Sequence, residues 1–165
     1  MASINQDQLD RIDQQVIRLG LPLVEAGARQ LAELQAIRCF GYPLPLAFTW
    51  FCARYPAHSG WPHNGWPGLF SPLELEIDKH NAWRRENRYW PPTLVSFFST
   101  DDGDYCFDYG TGTPQVVYVD DWANPPAEDE GEAKIHPTFV SASFEDWLEQ
   151  QVDWLLKQLE RPADR

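Results

Sequence analysis

Four aspartates gather around one glycine in residues 97–112, FFSTDDGDYCFDYGTG, at positions 101, 102, 104 and 108. Carboxylates at this density serve two kinds of chemistry: they ligate a hard cation such as calcium, or one of a pair does acid/base work once burial has raised its pKa. A calcium loop starting at Asp102 finds a second ligand in Asp104. It then meets Cys106 where the next oxygen is needed and Phe107 where the turn glycine belongs, so the pattern fails. For acid/base work the pairs are Asp101/Asp102 and Asp120/Asp121, and a hydrolase would draw on Asp101, Asp102, Asp104 or Asp108. Against that stands the commoner use of turn aspartates, which hydrogen-bond their own backbone.

Other chemistries fare no better. His58 and His63 are five residues apart, His80 and His136 are remote, and no cysteine is near enough to complete a zinc set. Cys39, Cys52 and Cys106 are odd in number, widely spaced and set in apolar sequence, which reads as buried thiols rather than a disulfide framework or a Cys-x-x-Cys motif. There is no Gly-x-Ser-x-Gly, no glycine-rich phosphate loop and no His-Glu-x-x-His. The expectation is a protein that is not an enzyme and uses no cofactor or metal.

Charge points elsewhere. The formal net charge is −12, and the acids Asp101, Asp102, Asp104, Asp108, Asp120, Asp121, Glu128, Asp129, Glu130 and Glu132 follow one another without a single Lys or Arg between them. Such a surface opposes nucleic acid, which binds positive surfaces that displace phosphate counterions. It suits a basic partner, or serves solubility alone. Arg84, Arg85 and Arg88 beside Trp83, Tyr89 and Trp90 have the look of a stacking patch for nucleic acid; the reading preferred here is a solvated helix face with its aromatics turned to the core.

The elements that must position these residues are legible. With 165 residues, 43 % hydrophobic and 14 % aromatic, the chain supports one core. No apolar run reaches the length of a membrane span, and MASINQDQLD lacks a basic region followed by an apolar one, so a cytoplasmic protein without a membrane partner is expected. Ser3, with Gln6, caps a helix carrying Leu9, Ile12, Val16 and Leu19. A second helix bears Leu23, Leu31, Leu34 and Ile37 and is expected to stop near Gly41. Pro45 opens a third, with Phe48, Phe51, Cys52 and Tyr55 on one face. Residues 56–72 form an aromatic loop, and Ser71-Pro72 starts a fourth helix with Leu73, Ile77, His80, Asn81 and Arg84 on its inner side.

Strands follow at 93–99, 104–109 and 115–120, an antiparallel meander in which Asp102-Gly103 signals a two-residue hairpin because glycine tolerates positive φ. Tyr105, Phe107 and Tyr109 fall on one face of the middle strand, with Cys106 and Asp108 on the other. After an acidic loop, Ser143 caps the clearest helix, whose stripe is Phe144, Trp147, Leu148, Val152, Leu155, Leu156 and Leu159. The fold class is α+β: a mostly antiparallel sheet with a central meander at about 93–120, packed against N-terminal helices and a long C-terminal helix.

The order of these elements resembles the SUKH superfamily of SMI/KNR-type domains. LAELQAIRCFGYPLPLAFTWF is similar to its opening helix, glycine, Leu-Pro step and second helix. LFSPLEL resembles its next segment, and VSFFSTDDGDYCFDY its strand, acidic glycine turn and strand, matched by Asp102, Gly103, Asp104, Tyr105 and Asp108. SASFEDWLEQQV resembles the terminal helix through Ser143, Phe144, Trp147 and Leu148. The usual Asn-Gly-Gly after the second helix is replaced here by HSGWPHNGWPG, and an additional helix precedes Ile37. The resemblance divides the chain into an N-terminal helical extension, 1–29, and the SUKH domain, 30–160.

It implies a non-enzymatic domain, commonly an immunity protein that neutralises a bacterial toxin; a regulatory or scaffold module is the other implied role. An acidic inhibitor complements a basic toxin that acts on nucleic acid. The partner-binding residues expected on that basis are Asp120, Asp121, Trp122, Glu128, Asp129, Glu130 and Glu132. Trp61 and Trp66 are added as anchors, since tryptophan is enriched at binding hot spots; packing within their own loop is the alternative for those two.

Asp129 and Glu130 have no basic neighbour before Lys134 and are expected to face solvent. Reversing both to Lys should leave the melting curve nearly unchanged, within about 0.5 kcal/mol, while slowing association with a basic partner and flattening its salt dependence. Stopped-flow association rates at several salt concentrations check this, and unchanged rates would assign the charge to solubility alone.

Overall fold

The chain, seen in a computed structural model that describes residues 4–20, 28–54, 76–124 and 135–161, begins with α1 (Gln6–Arg18), followed by α2 (Ala28–Ala36) and a hairpin of β1 (Arg38–Cys39) and β2 (Tyr42–Pro43). Next come α3 (Leu46–Arg54), α4 (Glu76–Arg88) and a sheet of β3 (Leu94–Ser99), β4 (Gly103–Asp108), β5 (Gln115–Asp120) and β6 (Thr138–Ser141). The last element is α5 (Phe144–Glu160). All pairings are antiparallel and neighbours in the sheet are neighbours in sequence, β3-β4-β5-β6. The architecture is α+β, with the expected meander extended by β6. That strand is only four residues long, and its TFVS alternation is too brief to stand out beside the helix that follows.

The main core lies between one sheet face and helices α1, α3 and α5. Phe107 of β4 and Phe97 of β3 stack at 4.2 Å, and Phe48 of α3 meets both edge-on, at 5.3 and 5.9 Å. Phe144 and Trp147 of α5 close the cluster, Trp147 lying 5.0 Å from Phe97. Each fully buried aromatic contributes about 1.5–3 kcal/mol from burial alone, with edge-to-face geometry adding to it. A β-bulge between Ser96 and Phe98 shifts the register of β3. The extra residue lets the adjacent Phe97 and Phe98 both reach this core instead of alternating across the sheet. The opposite sheet face carries a second, smaller cluster of Trp90, Leu94, Cys106, Val117 and Val119. The sheet is therefore covered on both sides.

α5 is capped as its sequence indicates: the Ser143 side chain accepts the Asp146 N–H at 3.2 Å. Its stripe is buried from Phe144 to Leu156, but Leu159 is half exposed where the last turn outruns the core. α1 is capped by Asn5 and not, as expected, by Ser3, because the helix begins at Gln6 and the Asn5 side chain accepts from the Gln8 N–H. Ser3, Leu23, Tyr55, Ser71, Pro72 and Leu73 lie outside the described residues. α1 and α5 run side by side in the same direction: Gln8 donates to Asp146 and Glu149, and Arg18 to Glu160. Leu9, Ile12 and Val16 of α1 enter the main core with α5.

Two glycines act differently from expectation. Gly41 does not stop α2, which ends at Ala36; Phe40 and Gly41, both with positive φ (50° and 85°), form the two-residue turn of the β1–β2 hairpin. Gly103, unlike Gly41, is not at a positive-φ turn position. The β3–β4 turn is one residue earlier, at Asp101-Asp102, closed by the Thr100 N–H on the Gly103 carbonyl at 2.7 Å. Gly103 itself pairs with Asp120, and a Cβ there would sit 2.2 Å from the Val119 carbonyl oxygen. Close approach of two strands, rather than turn geometry, requires glycine.

Gly103→Ala should therefore destabilise the fold by about 3 kcal/mol, at the upper end of ordinary overpacking because backbone cannot swing aside. Gly41→Ala meets no neighbouring atom and carries only the left-handed backbone strain, about 1 kcal/mol. Urea melts of the two variants test the ordering.

Candidate functional site: a buried ionic hub under two exposed indoles

α4 has little apolar surface to offer the sheet; Ile77 is its fully buried hydrophobe. It docks through polar side chains at helical spacing instead. The Asn81 amide acts as a substitute peptide on edge strand β3, donating to the Ser96 carbonyl at 2.8 Å and accepting its N–H at 2.7 Å. That closes an edge which would otherwise present open backbone groups.

One turn on, Arg84 is 4 % exposed and forks twice. Its Nε and Nη2 donate to Asp104 of β4 at 3.0 and 2.8 Å. Nη1 and Nη2 donate to Asp121, just after β5, at 2.8 and 3.1 Å. Two bidentate carboxylate pairs on one guanidinium use the planar donor set that lysine lacks. The same guanidinium lies 5.0 Å from the centre of Trp90 and 5.3 Å from that of Trp83. Arg88, a further turn along, reaches Asp121 at 3.0 Å. His80 Nε2 is 2.6 Å from Asp104, and the Ser99 hydroxyl donates to Asp104 at 2.9 Å.

Electrostatics follow from this geometry. Burial opposes ionisation of Asp104, but hydrogen bonds from His80 and Arg84 and the attraction of Arg84 outweigh it and hold the carboxyl below its usual range. Burial likewise opposes charge on Arg84, and Asp104 and Asp121 reverse that, raising its pKa. A carboxylate fully enclosed by donors and kept ionised is a poor general base. Burial pushes the Cys39 thiol up to about 12 and that of Cys106 well above its usual value, so neither presents a thiolate near neutrality. Among the described residues no group of three or more His, Cys, Asp or Glu could hold a metal ion.

The sequence offers Arg84 two places: with Ile77, His80 and Asn81 on the inner side of the helix, or with Arg85 and Arg88 on a solvated face whose aromatics turn to the core. The structure takes the first: Arg84 goes in with Asn81 and Trp90, while Trp83 is 50 % exposed. The readable signal was the spacing of His80, Arg84 and Arg88 at four-residue steps opposite an acid-rich hairpin.

Of the expected partner residues, Asp120, Asp121 and Trp122 are brought together in the turn after β5. Asp120 caps that turn, accepting the N–H groups of Trp122 and Ala123 at 2.8 and 3.1 Å. Asp121 is 26 % exposed and engaged by Arg84 and Arg88. Trp122 is 82 % exposed, its indole N–H donating to Asp102 at 3.2 Å. Asp102 and Trp83, neither of them among the expected partner-binding residues, join this neighbourhood. Glu128, Asp129, Glu130, Glu132, Trp61 and Trp66 lie outside the described residues.

Comparison with protein families finds that the model of the SMI1 / KNR4 family (SUKH-1) matches residues 28–150, from the start of α2 into α5. Comparison with curated proteins finds no match.

Because Asp104 ionises more readily folded than unfolded, its contribution is complete above the unfolded value of about 4 and is lost as pH falls through the lower folded value. Asp104→Asn should cost about 3 kcal/mol at neutral pH, as expected for stripping one partner from a buried ion pair. The gap to the unsubstituted chain should close below about pH 4. Denaturant melts from neutral to acid pH measure this, and a gap that stays constant would assign the loss to shape rather than charge.

Proposed function

The chain belongs to the SMI1 / KNR4 family (SUKH-1), and from that footing we propose that it is an immunity protein that binds and neutralises a cognate bacterial toxin. The toxin is a basic effector acting on nucleic acid in the cytoplasm, and neutralisation consists of covering its active or substrate surface. Family membership supplies the role, since domains of this kind commonly serve as immunity proteins. The observation that carries the reading to a basic partner is the distribution of charge. The net charge is −12, and in the described structure Arg84 and Arg88 are spent on Asp104 and Asp121. The remaining acids of the β3–β4 and post-β5 turns, Asp101, Asp102 and Asp120, have no described cation beside them. Toxins that grip phosphate carry positive clefts, and an acidic face complements these while accelerating encounter. Among the described residues no helix is long and apolar enough to cross a membrane.

Co-expression with the product of the adjacent gene is the direct test. Cells carrying both should grow and cells carrying the neighbour alone should not, and the two proteins should co-purify. Raising salt from about 50 to 500 mM should slow their association by roughly tenfold or more. A toxic neighbour that is equally harmful with or without this protein would overturn the reading, and an isolated gene amid cell-wall or signalling functions would favour a scaffold module.

A further inference from the structure

The geometry points to Trp122 and Trp83, rimmed by Asp101, Asp102 and Asp120, as a preformed docking face for an arginine-bearing segment of a partner protein. This rests on the neutralising role for the identity of the partner, and it specifies the chemistry by which the chain would hold it.

Trp122 is the most exposed of the large hydrophobic side chains described, at 82 %. It has no structural task in view: its described side-chain bond is the indole N–H to Asp102. Leaving an indole in water forgoes the burial free energy of one of the largest side chains. Yet the turn that carries it is held in place. Asp120 fixes the Trp122 N–H, and Asn124, itself buried, anchors the turn by donating its backbone and side-chain N–H groups to the Asp120 carbonyl at 3.0 and 2.9 Å. A tryptophan presented on an anchored turn has less backbone entropy to lose when it binds.

Trp83 is tied to the same place through Arg84, whose guanidinium lies over the Trp83 ring and grips Asp121, the residue before Trp122. Charge then selects the occupant. Within the hub two arginines answer two aspartates, so it presents no surplus. Asp102 and Asp120, beside Trp122, and Asp101 next to them are answered by no described cation, so the exposed indole sits in unmet negative charge. A guanidinium satisfies both demands, stacking flat on an indole while its N–H fork pairs with a carboxylate. The chain already builds this arrangement internally, in Arg84 between Trp90 and Asp104. Lysine supplies the charge without the planar stack.

The probe is a synthetic peptide, acetyl-Gly-Arg-Gly-Arg-Gly-amide, titrated into 15N-labelled protein and followed at the indole N–H resonances of its 8 tryptophans. The Trp122 and Trp83 resonances should move together and saturate, the lysine counterpart should bind more weakly, and the glutamate counterpart should not bind. Trp122→Ala, on an exposed side chain, should leave the melting curve in place and weaken arginine-peptide binding by about fivefold. Asp102→Asn should weaken it as well. Uniform small shifts of all indoles, or a Trp122→Ala variant that binds the peptide as tightly as the unsubstituted chain, would overturn the proposal. The titration involves no toxin, so the two readings fail separately. Peptide binding at this face without protection of cells would sink the neutralising role alone. Protection by a Trp83→Ala/Trp122→Ala double variant would remove the face and leave the role standing.

Discussion

One guanidinium organises the part of the molecule that carries its chemistry. Arg84 joins α4 to β4 through Asp104 and to the turn after β5 through Asp121, and it does so out of water. Placing an arginine and a carboxylate in a protein interior is costly, and replacing such pairs with apolar groups is often neutral for stability. What a bidentate pair adds is geometry. A helix docked by leucines can slide by a fraction of a turn with little loss, whereas a helix docked by two forks and an amide has one register. That suits α4, whose sequence provides few apolar residues on any face.

The rest of the fold follows a more usual logic. An aromatic cluster between α3, α5 and the sheet supplies the bulk of the burial, and the bulge in β3 lets two consecutive phenylalanines join it. The second cluster, smaller and lined by Trp90 and Cys106, lies on the sheet face opposite the aromatic core. Core and hub are thus divided by the sheet and differ in chemistry, one apolar and tolerant, the other polar and exacting.

How far the sequence discloses this depends on the element. The stripe of α5, its Ser143 cap and the alternation of Tyr105, Phe107 and Tyr109 are local periodic signals, and the structure agrees with them. The β1–β2 hairpin reads in the sequence as a helix end, because Phe40-Gly41 looks like a stop signal and only the pairing of Cys39 with Tyr42 identifies it as a turn. For Gly103 the sequence indicates the right place and the wrong cause, since the contact that demands it comes from Val119, sixteen residues away. At the site, Trp122 and Asp120 could be named from charge and composition. That Asp104 is buried, that Arg84 forks to Asp104 and Asp121 and that Trp83 turns outward could not, because each depends on a partner from another element. Ion pairing across the chain leaves no periodic trace in one sequence.

The family match begins at residue 28, but the hydrophobic interior does not. Leu9, Ile12 and Val16 lie in the same cluster as Phe144, Trp147 and Leu148, so the boundary drawn by descent and the boundary drawn by packing differ by one helix. α1 is less an appendage than a panel of the wall. Cutting the chain where the family pattern starts would open the flank of α5 to water and turn a helix made to be half covered into an adhesive surface. A relative lacking this helix must clothe that flank by some other means, with another segment or another subunit. It can do so without disturbing the sheet or the ionic hub, because the sheet stands between that flank and the hub.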